Sequence, residues 1–87
     1  MNSQAAPRFW HLYNRLSRQE QQRVRKAYQV WKTNPTTPGL RFKRVNEQEP
    51  IYSARVSDDY RVLGILEGDT LIWFWVGRHD EYERILK

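Results

Sequence analysis

Apolar residues at Phe9, Leu12, Tyr13 and Leu16 recur at i, i+3, i+4 and i+7, the spacing that lines one face of a helix. Pro7 suits the first turn of that helix, where its missing N–H costs nothing. Ser17 and Glu20 then form an S-x-x-E capping box, which starts a second helix rather than continuing the first. Val24, Ala27, Tyr28 and Trp31 give this second helix its apolar stripe, and Gln21, Gln22, Arg23, Arg25 and Lys26 fill its polar side. The pattern predicts two helices joined by a tight corner. Asn34-Pro35 ends the second, because the residue before a proline is pushed out of the α region. Thr36-Thr37-Pro38-Gly39 continues the break as a loop.

Past the loop the hydrophobic period changes to two. Leu40-Arg41-Phe42-Lys43 alternates apolar and basic residues, and Ile51 to Val56 and Tyr60 to Leu66 read as paired strands. Gly68-Asp69 turns the chain into Leu71 to Val76, whose apolar residues on both faces predict a central strand. Asp80 to Leu86 is expected to form a short helix with Tyr82, Ile85 and Leu86 turned inward. There are no internal repeats, and Met1 to Ala6 reads as a disordered tail. The expectation is one α+β domain over residues 1–87, with an N-terminal helical hairpin packed on a four-stranded, mostly antiparallel sheet and a short C-terminal helix.

A chain of 87 residues buries only about 60 to 65% of the surface its unfolded form exposes, so its core must be dense. Four Trp, five Tyr and three Phe supply that density. Cysteine is absent, which removes disulfides and thiolate metal sites and fits a reducing, cytoplasmic setting. The longest apolar run falls far short of the roughly 20 residues a membrane span needs, and no secretory signal is visible. A net charge of +5 and a pI near 9.9 favour an anionic partner, either nucleic acid or an acidic protein.

Candidate chemistry concentrates between Tyr52 and Tyr82. With Ser57-Asp58-Asp59 as the hairpin turn, Arg55 faces Arg61; with a two-residue Asp58-Asp59 turn the two would be separated. Like charges facing across a ladder repel, so the pair is explained either by an anion bound between them or by surface pairing with Asp58, Asp59 or Glu81. Tyr52, Ala54, Val56, Tyr60, Val62 and Gly64 fall on the face expected to meet the helices, and the arginines on the other. His79 follows a glycine at the end of a buried strand, and histidine exchanges protons near neutral pH. Tyr82 suits either stacking or the core. Arg41, Lys43, Arg44 and Arg78 are candidate phosphate contacts or solvated strand charges. His11 stands apart as a structural residue. Neither a metal nor a nucleotide cofactor is expected, since no histidine pair has ligand spacing and no glycine-rich phosphate loop is present.

Tyr52-Ser53-Ala54-Arg55-Val56, then Tyr60-Arg61-Val62, then Trp73-x-Trp75-x-Gly77-x-His79-x-x-Tyr82, preceded by the helix pair, resembles the RelE/ParE superfamily of bacterial type II toxins over roughly residues 8 to 86. The resemblance implies a toxin neutralised by an acidic antitoxin, through which it can also oligomerise. In the nuclease branch it implies metal-independent cleavage of ribosome-bound messenger RNA. Arg55 and Arg61 would then hold the scissile phosphate, His79 would act as general acid or base, and Tyr82 would stack or assist. Two departures stand out. Members usually open with a strand, which residues 1 to 8 here would truncate or lack. Some nucleases carry a strand lysine where this chain has Ser53 and a carboxylate base, for which Glu47 and Glu49 are the candidates. The other branch blocks DNA gyrase without nuclease chemistry, and a domain that only binds an antitoxin or RNA is a third possibility.

Overall fold

The computed structural model describes residues 1–85. The elements run β1 (Asn2–Ala5), α1 (Pro7–Tyr13), α2 (Arg18–Thr33), a 3₁₀ turn (Pro38–Leu40), β2 (Lys43–Arg44), β3 (Ile51–Arg55), β4 (Tyr60–Glu67), β5 (Thr70–Arg78) and α3 (His79–Ile85). They form an α+β fold around one five-stranded sheet in the order β1-β5-β4-β3-β2. The ladders are antiparallel except for β1, which runs parallel to β5.

The helical hairpin follows its sequence signals. Pro7 sits in the first turn of α1, and the Ser17 hydroxyl accepts the backbone N–H of Glu20 at 3.2 Å to cap α2. The Glu20 carboxylate does not complete the box, because it accepts Arg23 at 2.6 Å instead. α2 ends at Thr33, where the Asn34 backbone turns extended ahead of Pro35. Phe9, Tyr13, Val24 and Trp31 are buried against the sheet, with Leu12, Leu16, Ala27 and Tyr28 packed around them. Trp31 is the hub, meeting Trp73 edge to face at 5.3 Å between centroids and Phe42 at 5.7 Å.

Three expectations are corrected. Residues 2–5 are a strand rather than a tail, so the sheet has five strands and the opening strand that the resemblance implies is present. Asn2-Ser3-Gln4-Ala5 has little β propensity of its own. What recruits it is the outer edge of β5, whose backbone groups would otherwise lie unpaired beside the fully buried Leu71. Ser3 also shares a 2.8 Å hydrogen bond with the Tyr28 hydroxyl, which fastens β1 to α2. Next, Leu40-Arg41-Phe42-Lys43 is not a strand: Pro38-Gly39-Leu40 makes a 3₁₀ turn that drops Leu40 into the core, and pairing is limited to Lys43 and Arg44. Arg41 caps that turn in the left-handed region, with φ of 47°. Finally, Ile85 points outward at 46% exposure, because the last turn of α3 runs past the sheet, while Tyr82 is half-buried. Leu86, also expected to point inward, lies outside the described residues.

The register places the functional candidates. In the β3–β4 hairpin Arg55 faces Arg61, Ala54 faces Val62 and Tyr52 faces Gly64, as the three-residue turn requires. Gly68, with φ of +61°, makes the two-residue turn into β5 that a side chain would strain. A β-bulge between Leu63 and Gly64 sets Leu63 against Trp75 and Gly64 against Trp73, leaving Phe74 unpaired. It keeps Trp73 and Val76 on the helix-covered face and sends Trp75 to the other. β5 is accordingly an interior strand covered on both sides, with Leu71, Trp73 and Val76 buried beneath the helices and Trp75 buried opposite.

Candidate functional site

The hairpin tip organises the site through its carbonyl groups. Arg61 donates from Nη1 to the Ser57 carbonyl at 2.7 Å and to its neighbour's, Tyr60, at 3.0 Å. The backbone N–H of His79 donates to the Asp59 carbonyl at 2.7 Å, which ties the start of α3 to the same turn. One short loop therefore fixes both the guanidinium of Arg61 and the position of the imidazole. Arg55 donates to the carboxylate of Asp58, which is 90% exposed. Such an exposed ion pair is worth about 1 kcal/mol or less, so an incoming anion can displace it.

Arg61 meets no carboxylate in an ion pair among the described residues. Its pKa is lowered from the ordinary arginine value, first by burial and then by the facing Arg55 charge, with Arg41 adding to the effect and Tyr82 and Asp58 opposing it. The sign matters. Burial and the facing charge both disfavour the cation, and an anion between Arg55 and Arg61 would offset that cost by favouring the charged form.

Gly77 explains part of that burial. It lies opposite Arg61 in the ladder, and a Cβ built there would stand 2.5 Å from the indole of Trp75. Trp75 lies two residues earlier on the same face of β5 and folds over the glycine, so the W-x-G spacing is a packing requirement. The result is an apolar wall of Trp75 and the fully buried Leu63 beside the arginine pair.

His79 and Tyr82 stack with centroids 5.5 Å apart and planes 22° from parallel. The imidazole Nε2 lies 3.5 Å from Oε1 of Glu83, one helical turn on. Sequence reasoning missed Glu83, although the i, i+4 spacing from His79 was the available signal. The structure thus assembles Arg55, Arg61, Tyr82 and His79 around the end of the β3–β4 hairpin.

The secondary candidates divide. Arg41 lies within electrostatic reach of Arg61, and Lys43 pairs with Ser53 and so shares the arginine face. Arg44 pairs with Tyr52 on the helix-covered face, where its side chain is held by the carbonyls of Asn46 and Glu47. Arg78 pairs with Tyr60, also on that face, and lies 3.7 Å from Asp80. Its pKa is raised by the Tyr60 side chain and then by Asp80 and Asp59. Glu47 and Glu49 sit at the opposite end of β3 from the hairpin tip, remote from His79. Among the described residues no group of three His, Asp or Glu side chains could hold a metal ion, and no helix is long and apolar enough to cross a membrane.

A further concavity lies elsewhere. An apolar groove of about 430 Å³ runs between the helices and the sheet, with Trp10, Tyr13, Arg25 and Tyr28 among its lining residues. Trp10 is half exposed.

The fold has clear counterparts among solved structures. The RelB–RelE antitoxin–toxin complex from Methanococcus jannaschii matches at a TM-score of 0.73 and 18% identity, covering 95% of this chain and 98% of that one. YafQ from E. coli strain BL21(DE3) matches at 0.74 and 10% identity, covering 93% and 96%. The archaeal RelE–RelB complex from Pyrococcus horikoshii OT3 matches at 0.70 and 12% identity, covering 88% and 92%. No curated protein sequence matches the chain. The family match is to the ParE-like toxin domain over residues 18–84, which takes in the capped second helix, both arginines, His79 and Tyr82. The chain therefore belongs to the ParE-like toxin domain family of the RelE/ParE superfamily.

Proposed function

We propose that this protein is the toxin of a type II toxin–antitoxin pair and that it cleaves RNA, with ribosome-bound messenger as the substrate the superfamily resemblance implies. The observation that carries the reading is the facing Arg55–Arg61 pair, in which burial and mutual repulsion disfavour the Arg61 cation until an anion arrives. A phosphodiester supplies that anion. The RNA 2′-hydroxyl attacks the adjacent phosphorus in line and the P–O5′ bond breaks, giving a 2′,3′-cyclic phosphate and a free 5′-hydroxyl. Arg55 and Arg61 offset the charge that grows on the phosphoryl oxygens. His79 takes the 2′ proton or delivers one to the departing O5′. Glu83 orients the imidazole, and Tyr82 stacks on it. Lys43, across from Ser53, puts a cation on the arginine face where some relatives carry a strand lysine. The resemblance implies that none of these steps needs a metal.

The partner is an acidic antitoxin. Two of the similar structures are complexes with RelB, and the open apolar groove with Trp10 at its side offers a helix of such a partner a place to bury its face.

Purified protein incubated with ribosomes and message tests the reading. Wild type should cut, Arg61→Gln should lose about 10²-fold or more, and His79→Ala about 10² to 10⁴-fold. Equal cleavage by all three would remove these side chains from the mechanism. A second reading is favoured by the ParE-like description of the matched family: a gyrase inhibitor without nuclease chemistry. In that case wild type leaves message intact, and both wild type and His79→Ala inhibit supercoiling.

A further inference from the structure

A second cleft, of about 340 Å³, opens between α2, the 3₁₀ turn and the hairpin tip. Arg23 and Lys26 reach it from α2, and Arg55 and Ser57 from the end of β3 and the turn, over an apolar floor that includes Leu40. Three cations from two elements line it, and no carboxylate does. Arg23 is bridged to Glu20 and Arg55 to Asp58, both through carboxylates outside the lining. Lys26 has no ion-pair partner among the described residues. The Ser57 hydroxyl is buried without a hydrogen-bond partner, and an orphan of this kind calls for a group that completes it. The carbonyl of the same residue accepts Arg61, so the cleft and the arginine pair share both Arg55 and Ser57.

We propose that this cleft binds a backbone phosphate of single-stranded RNA, the neighbour of the phosphate held between Arg55 and Arg61, a proposal that rests on the RNA-cleaving reading above. The charged groups lining it are donors only, which suits a phosphodiester that only accepts. A peptide strand would bring N–H groups that need acceptors of their own. The lining contains no aromatic ring on which a base could stack. The grip is therefore on the backbone and indifferent to sequence. Asp58 marks the boundary, holding Arg55 until RNA spans both positions.

A 2′-O-methyl RNA trinucleotide, which has two phosphodiesters and cannot be cut, is titrated against the dinucleotide, which has one, with backbone amide resonances followed by NMR. The trinucleotide should shift Lys26 and Gly39 as well as Ser57 and the residues around Arg61, and the dinucleotide only the latter group. In the Arg23→Gln, Lys26→Gln double variant the salt slope of trinucleotide binding should fall by about 0.7, one phosphate's worth for a single strand, with dinucleotide binding unchanged. Shifts confined to the Arg61 region, or an unchanged slope, overturn the cleft assignment and leave the nuclease reading standing. No shift anywhere overturns both. A polyglutamate peptide that shifts Lys26 and Gly39 where RNA does not would reassign the cleft to an acidic protein.

Discussion

On the helix-covered side of the sheet, Ala54, Val62, Trp73 and Val76 pack against Phe9, Val24 and Trp31. One residue along, the same strands turn Arg55, Arg61 and Lys43 to the other side. The first face is apolar at its centre, with Arg44 and Arg78 only towards its margins, and there the pairing stabilises the fold. The second sets two cations opposite each other and half-buries one of them, an arrangement that costs stability and that a bound anion would offset. Even so, that face is not merely open. Ser53, Leu63 and Trp75 are buried on it, so the half-buried arginines stand at the margin of a small packed patch. Alternation at a period of two lets adjacent residues serve separate ends.

The sharpest way to break the comparison is at the hub of the covered face. Trp31→Ala should cost about 3 to 5 kcal/mol, read as a lower urea midpoint, since it empties the contact among Phe42, Tyr28 and Trp73. On the arginine face, Gly77→Val should cost less, about 1 to 3 kcal/mol, because only Trp75 must move. Its RNA cleavage should nonetheless fall more than its stability explains, since the displaced indole is the wall beside Arg61. Cleavage that simply tracks folded fraction would refute that role for Trp75. The smallest effect belongs to Asp58→Asn. Stability should change by less than about 1 kcal/mol, while affinity for uncleavable RNA rises because Arg55 is released from its partner. Weaker binding would mean that Asp58 supports the site.

Strong local signals were legible in the sequence. The corner at Ser17, the stop at Asn34-Pro35, the turn at Gly68 and the Arg55–Arg61 register all came from residues whose chemistry acts within a few positions. What escaped were features decided across the fold. Asn2-Ser3-Gln4-Ala5 becomes a strand because β5 has an edge to fill, and no pattern within those residues announces it. Leu40 alternates with Arg41 and Phe42 like a strand, yet the core draws it inward as part of a 3₁₀ turn. The fold of Trp75 over Gly77, the stack of His79 on Tyr82 and the remoteness of Glu47 and Glu49 likewise depend on which ends of strands come together.

The parallel pairing of β1 with β5 also bears on how the molecule comes into being. Residues 2–5 leave the ribosome well before their partners at 70–73. Until β5 emerges the segment has no ladder to join, and closing so long an intervening loop is an intrinsically slow step. Residues 2–5 must therefore wait for their place, and the strand that receives them also carries the glycine opposite Arg61 and leads directly into His79. A sheet built in this order closes its β1 edge only after the strand leading to His79 has been made.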